Sequence, residues 1–269
     1  MMDGRTKVFG IIGRPVEHSL SPAMHNAAFQ ALGINAVYVA FPVVDLKLAV
    51  AGLRGLNIGG VSVTIPFKED IIPLLDELDP QAARMGAVNT VVNREGRLVG
   101  YNTDWLGALA ALKEETTIAN KHFLILGAGG AARAIVFGIR KEGGRVSLTD
   151  IDAHRAAVLA QEFGSEVLSP AALSQCPASV LINATPVGMT PQSHNIPIDP
   201  NLLSRFDLVM DIVYRPLETR LLKEARAQGC RTVDGLRMLI HQGAAQFELW
   251  TGRPAPLEIM AQAAHAALA

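Results

Sequence analysis

The stretch His122-Phe123-Leu124-Ile125-Leu126-Gly127-Ala128-Gly129-Gly130-Ala131-Ala132 decides the fold. His122–Leu126 reads as a buried strand, and a helix is expected from Ala131 to Lys141. The turn between them fits G-x-G-x-x-A, the fingerprint of a dinucleotide-binding strand–turn–helix. Gly127 permits the tight turn, Gly129 lets the backbone approach a pyrophosphate, and Ala132 allows close helix–strand packing. Ala128, Gly130 and Ala131 complete the cofactor-binding turn. The next strand, Arg145–Thr149, ends at Asp150, close to the expected spacing of about 20 residues. An acid there accepts hydrogen bonds from ribose hydroxyls and repels a 2′-phosphate. Asp152 adds a second negative charge, so NAD is expected over NADP. The competing reading is that Asp150 or Asp152 caps the helix starting at Ala153.

Strands and helices alternate on both sides of this stretch. Val8–Ile12, Ala36–Phe41 and Gly60–Ile65 read as strands, as do Val180–Asn183, Leu208–Ile212 and Arg231–Val233. A hairpin joins Val88–Asn93 to Arg97–Tyr101 across Glu95-Gly96. Helices are expected at Pro22–Leu32 with Ser21 as N-cap, Lys68–Leu78, Asp104–Glu115, Ala153–Phe163, Leu239–Thr251 and Leu257–Leu268. Such alternation predicts an α/β protein with parallel sheets.

Composition narrows the function classes. Of 269 residues, 49% are hydrophobic and 18% charged, which excludes a disordered chain. The 24 basic and 25 acidic residues give a net charge of −1, with no basic stripe, so nucleic acid is not an expected partner. No apolar run of about 20 residues points to a membrane. Cys176 and Cys230 match no zinc spacing and no disulfide framework, so no metal is expected and the protein reads as cytoplasmic.

Four polar constellations precede the dinucleotide stretch. Ser19 and Ser21 stand at a helix entrance, suited to a carboxylate or phosphate. Val63-Thr64-Ile65-Pro66-Phe67-Lys68 follows a strand and places a lysine where desolvation brings an ammonium toward acid–base use. Gly86-Ala87-Val88-Asn89-Thr90 and Gly100-Tyr101-Asn102-Thr103-Asp104 offer amide donors and acceptors for a polyhydroxylated substrate. Each cluster alone is also compatible with turn chemistry.

In this order the motifs HSLSPAMHNAAF, VTIPFK, GAVNT, GYNTDWLG, LGAGGAARA, NATPVGM, DIVYRPLETRLL and DGLRMLIHQGA resemble the shikimate dehydrogenase family. The resemblance covers residues 8 to 252. It implies an N-terminal α/β substrate domain (1–105), a C-terminal doubly wound Rossmann domain (106–240), final helices (241–269) packing back on the first domain, and an active site in the interdomain cleft. It implies reversible NAD(P)-linked oxidation of shikimate to 3-dehydroshikimate, with quinate or an aminoshikimate as substrate of some relatives. A ligand-binding sensor of the same fold is the alternative from another class. By position, Lys68 and Asp104 match the catalytic pair. Ser19, Ser21 and Tyr214 match the carboxylate contacts, and Thr64, Asn89 and Gln242 the ring-hydroxyl contacts. Asn183, Thr185, Pro186 and Met189 match the nicotinamide side, and Gly235 and Met238 further cofactor contacts. A monomer or homodimer is expected.

Three departures stand out. The family's Asn-Arg-Thr cofactor motif is replaced by Asp150-Ile151-Asp152, which reinforces the NAD expectation. Ser62 replaces an Asn. Arg237 replaces a Gly, setting a cation beside the expected nicotinamide position.

Overall fold

The computed structural model describes residues 2–268, which fall into two compact units. The first takes the chain up to Thr103 and again from Ile240; the second is Asp104–Leu239. In chain order the first unit holds β1 (Lys7–Gly13), α1 (Ser21–Ala31), β2 (Ala36–Pro42), α2 (Leu46–Gly55), β3 (Gly60–Val63), β4 (Glu77–Leu78), α3 (Pro80–Met85), β5 (Thr90–Arg94) and β6 (Arg97–Tyr101). The second holds α4 (Asp104–Lys113), β7 (His122–Leu126), α5 (Gly130–Lys141), β8 (Arg145–Thr149), α6 (Ala153–Phe163), β9 (Glu166–Val167), β10 (Val180–Asn183), β11 (Leu208–Asp211), α7 (Arg220–Ala227) and β12 (Arg231–Val233). Helix α8 (Gly235–Thr251) carries the chain back, and α9 (Leu257–Leu268) packs on α1.

The second unit is a six-stranded sheet in the order β12-β11-β10-β7-β8-β9, parallel throughout. This is the doubly wound order, and its switch point lies where β7 is flanked by β8 and β10. Ligands of such sheets bind at the carboxyl ends of the strands there, which here means Gly127 and Ala184. The central strands are apolar runs buried on both faces, with Leu124, Ile125, Leu181, Ile182 and Val209 fully enclosed.

The first unit's sheet has the order β2-β1-β3-β5-β6-β4 and is mixed, not parallel throughout. Strand β5 runs antiparallel to both β3 and β6. The cause is the hairpin at Glu95-Gly96, where φ is 54° and 90°. Two successive left-handed residues make the turn whose twist suits two antiparallel strands.

Two local expectations fail. The helix expected over Lys68–Leu78 is a turn, a short 3-10 segment Ile72–Leu74 and strand β4. Pro73 lacks the donor a helix interior needs, and the Asp76 carboxylate is held by Leu98 N–H and Arg54 across the sheet. Ser21 is not the N-cap of α1. The helix begins at Ser21 itself with no side-chain cap, and Ser19 Oγ accepts from Ser21 N–H at 3.2 Å. Among the described residues no helix is long and apolar enough to cross a membrane.

Candidate active site

The dinucleotide turn is built by backbone constraints. Gly127 has φ +111°, a conformation that side chains disfavour, and a Cβ there would stand 3.0 Å from Ala184 O and from Thr185 Cγ2. Gly129 precedes α5 and offers no side-chain cap, so the first-turn N–H groups face outward for an anion. A Cβ on Gly129 would meet only the Arg155 guanidinium, at 3.9 Å. The residues therefore fit a phosphate-bearing nucleotide.

Asp150 is engaged by backbone donors. Its Oδ2 accepts from Ala128 N–H at 2.6 Å and its Oδ1 from Asp152 N–H at 2.8 Å. Asp152 is the N-cap of α6, accepting from His154 and Arg155 N–H. Both carboxylates thus satisfy backbone donors, and the free-standing charge beside the glycine turn is that of exposed Arg155.

In the first unit the structure brings Asn89, Gln242 and Thr103 together. Asn89 Nδ2 donates to Gln242 Oε1 at 3.2 Å and to Thr103 Oγ1 at 3.0 Å, while its Oδ1 accepts from Thr103 N–H at 2.7 Å. Lys68 is half-buried on the turn after β3, and its carbonyl accepts from Val88 N–H. That bond ties the lysine's turn to the segment carrying Asn89. Thr64 is half-buried at the head of the same turn, and its methyl closes over Gly13. Ser19 is half-buried and Ser21 buried.

Behind these residues runs a buried chain of hydrogen bonds that sequence reasoning missed. Tyr38 donates to Ser62 Oγ at 2.6 Å, and Ser62 donates to Gln246 Oε1 at 2.8 Å. Gln246 Nε2 donates to Thr90 Oγ1 at 2.9 Å, and Thr90 donates to Asn89 Oδ1 at 2.7 Å. Every link points the same way, which fixes the orientation of the Asn89 amide. The signal was a second glutamine one helical turn after Gln242, on the same helix face. Ser62, a departure from the family pattern, is a working link in this chain.

Asp104 and Tyr214 belong to the second unit. Asp104 is buried in the first turn of α4, where a carboxylate is favoured. Burial raises the Tyr214 phenol above its ordinary value, with Arg215 acting in the opposite sense. Asn183, Thr185, Pro186 and Met189 follow β10, with Pro186 and Met189 exposed. Gly235 packs so closely on Ile212 O that a Cβ would stand 2.2 Å from it, and Met238 is buried one turn later. Arg237 is not a bare cation. Its guanidinium meets Glu115 at 3.0 Å, Glu114 at 3.1 Å and Asp234 at 3.6 Å.

Residues 11–91 match the family model described as the shikimate dehydrogenase substrate binding domain, and 235–265 match the shikimate 5′-dehydrogenase C-terminal domain. The chain is 48% identical to a Pyrococcus furiosus protein, covering 98% of this chain and 97% of that one. It is 47% identical to one from Symbiobacterium thermophilum, covering 98% and 96%. Both are named shikimate dehydrogenase (NADP(+)). A Thermus thermophilus shikimate 5-dehydrogenase, solved with NADP(H) and shikimate, superposes with a TM-score of 0.92 at 41% identity, covering 98% and 100%. These names overturn the expectation of NAD over NADP. In the structure Asp150 and Asp152 each accept backbone N–H groups, and the Arg155 guanidinium stands near the glycine turn. By near full-length identity and shared architecture, the chain is an oxidoreductase that belongs to the shikimate dehydrogenase family.

Proposed function

We propose that this protein oxidises shikimate reversibly to 3-dehydroshikimate with NADP as cofactor. The observation that carries the substrate reading is the buried Asn89–Gln242–Thr103 cluster beside the Lys68 turn. Paired amides locked by a hydrogen-bond chain suit a rigid ring bearing several hydroxyls, because each amide presents a donor and an acceptor at a fixed angle. NADP+, when bound, accepts the hydride from the substrate's secondary alcohol carbon. Lys68 takes the hydroxyl proton in that direction and returns it in reduction. Asp104 accepts a hydrogen bond from a substrate hydroxyl. Ser19 and Ser21, with Tyr214, bind the carboxylate, and Thr64 joins Asn89 and Gln242 at the ring hydroxyls.

Gly127 through Ala131 receive the pyrophosphate, with the first turn of α5 supplying N–H donors. Asn183, Thr185, Pro186, Met189, Gly235 and Met238 form the nicotinamide side. Arg155 supports the NADP reading, since a guanidinium beside the turn pairs with a 2′-phosphate in a charge-assisted hydrogen bond.

The test is initial-rate oxidation of shikimate and of quinate, each with NADP+ and NAD+, followed by reduced-nicotinamide absorbance. Shikimate with NADP+ is expected to give the highest kcat/KM. Faster turnover of quinate would reassign the substrate, and no turnover in any combination would favour a binding protein of this fold.

A further inference from the structure

We propose that Asp211 is a positioning residue for hydride transfer, fixing through Asn183 the segment that forms the nicotinamide side. The proposal rests on the NADP reading above. Asp211 ends β11, lies in register with Asn183 at the end of β10, and is fully buried. Its Oδ1 accepts from Asn183 Nδ2 at 2.9 Å and from Val213 N–H at 3.0 Å, and its Oδ2 from Thr219 Oγ1 at 2.7 Å. All three neighbours donate, and an ionised carboxylate is the side chain that only accepts.

From there the ordering passes outward bond by bond. Asn183 Nδ2 also reaches Val187 O, and Asn183 Oδ1 accepts from Thr185 N–H at 3.1 Å and Thr185 Oγ1 at 2.7 Å. Thr185 Oγ1 in turn accepts from Val187 N–H. The backbone of 183–187 is thereby closed into one turn. Its Ala184 carbonyl and Thr185 methyl are the atoms that press on Gly127. One buried carboxylate thus orders the segment of the nicotinamide side.

The arrangement is costly for folding, which is why it points to function. A buried carboxylate with no cationic partner loses its hydration for three neutral hydrogen bonds. Burial pushes its pKa up to about 6, against those three bonds, and no charged side chain contributes. Asp207 just before β11, and Tyr214 and Arg215 in the following loop, are the nearest ionisable residues along the chain, and none of them shifts it. Below about pH 6 the protonated carboxyl needs an acceptor, so at least one of the three bonds reverses.

The experiment compares wild type, Asp211→Ala and Asp211→Asn as full-length protein. It measures kcat/KM for NADP+ with saturating shikimate from pH 5 to 8, and the Kd of 2′,5′-ADP, which lacks the nicotinamide half. Asp211→Ala is expected to lose about 10- to 100-fold in kcat/KM, as for a misplaced reacting group. Its affinity for 2′,5′-ADP stays within about twofold, a selectivity that general destabilisation does not produce. Asp211→Asn keeps the Oδ1 contacts and is expected to recover most activity at pH 8, without the wild-type fall below about pH 6. Equal losses for both ligands in Asp211→Ala, or a wild-type pH profile retained in Asp211→Asn, overturn the proposal. Should Asp211→Ala not fold, the pH arm of Asp211→Asn decides it. Wild type that binds 2′,5′-ADP but not NADP+ overturns the positioning role; wild type that binds neither overturns the cofactor reading beneath it.

Discussion

His25 makes this protein's first unit acid-sensitive by a calculable amount. Its ring is fully buried, stacked on Tyr38 at 4.5 Å and enclosed by Phe29, Phe247 and Trp250. Neither ring nitrogen finds a hydrogen-bond partner that meets normal geometry. Burial lowers its pKa from 6.5 to about 3, with Gln246 pulling weakly the other way. A basic group whose folded pKa is depressed contributes full stability above its unfolded pKa and loses it as pH falls toward the folded value. The window is therefore pH 6.5 down to about 3. The slope there is about 1.4 kcal/mol per pH unit, so about 2 kcal/mol is gone by pH 5. His25→Phe keeps an aromatic ring in the stack and removes the titration. The assay is urea unfolding at pH 7.5, 6 and 5, read by Trp250 fluorescence in a Trp105→Phe background so that only the first unit reports. Any constant repacking penalty cancels, because the readout is the change with pH. The variant is expected to lose about 2 kcal/mol less than wild type between pH 7.5 and 5. Identical pH slopes for the two proteins would refute the reasoning.

Lys68→Ala is expected to lower kcat for shikimate oxidation by about 100-fold or more with the NADP+ KM little changed, which steady-state kinetics will read. Arg155→Ala is expected to raise the NADP+ KM by about 10-fold or more and leave the NAD+ KM unaffected, since only the former presents a 2′-phosphate. Arg237→Gly removes a half-buried cation from three carboxylates. It is expected to cost about 1 kcal/mol, seen as a drop of a few degrees in Tm, with kcat within about threefold. A large change in kcat would instead place Arg237 at the nicotinamide.

The second unit was legible wherever its elements are set by local chemistry. His122–Leu126, Ala153–Phe163, Val180–Asn183 and Arg231–Val233 appear at the expected residues, because apolar runs bounded by Gly, Asn or Asp carry their own stop signals. The failures are tertiary. Asp76 looks helical in sequence, yet its partners are Arg54 and Leu98, 22 residues away on either side. Asp150 was read as a ribose contact or a helix cap; its bond from Ala128 N–H, across 22 residues to the glycine turn, carries no local signal. In the first unit the positions of Asn89 and Gln242 were legible, but not the Tyr38–Ser62–Gln246–Thr90 chain that orients them. Its bonded members are separated by up to 184 residues and share no local motif.

The return of the chain to the first unit inside α8 has a consequence for synthesis. The ribosome makes strands β1–β6 first, but their apolar layer waits for Phe247, Trp250 and the α9 face that docks on α1. The second unit, continuous in sequence, emerges complete before that closing segment exists. Synthesis thus runs against assembly: the strands of the first unit are made before the second unit, and the segment from Ile240 that completes their packing is made after it.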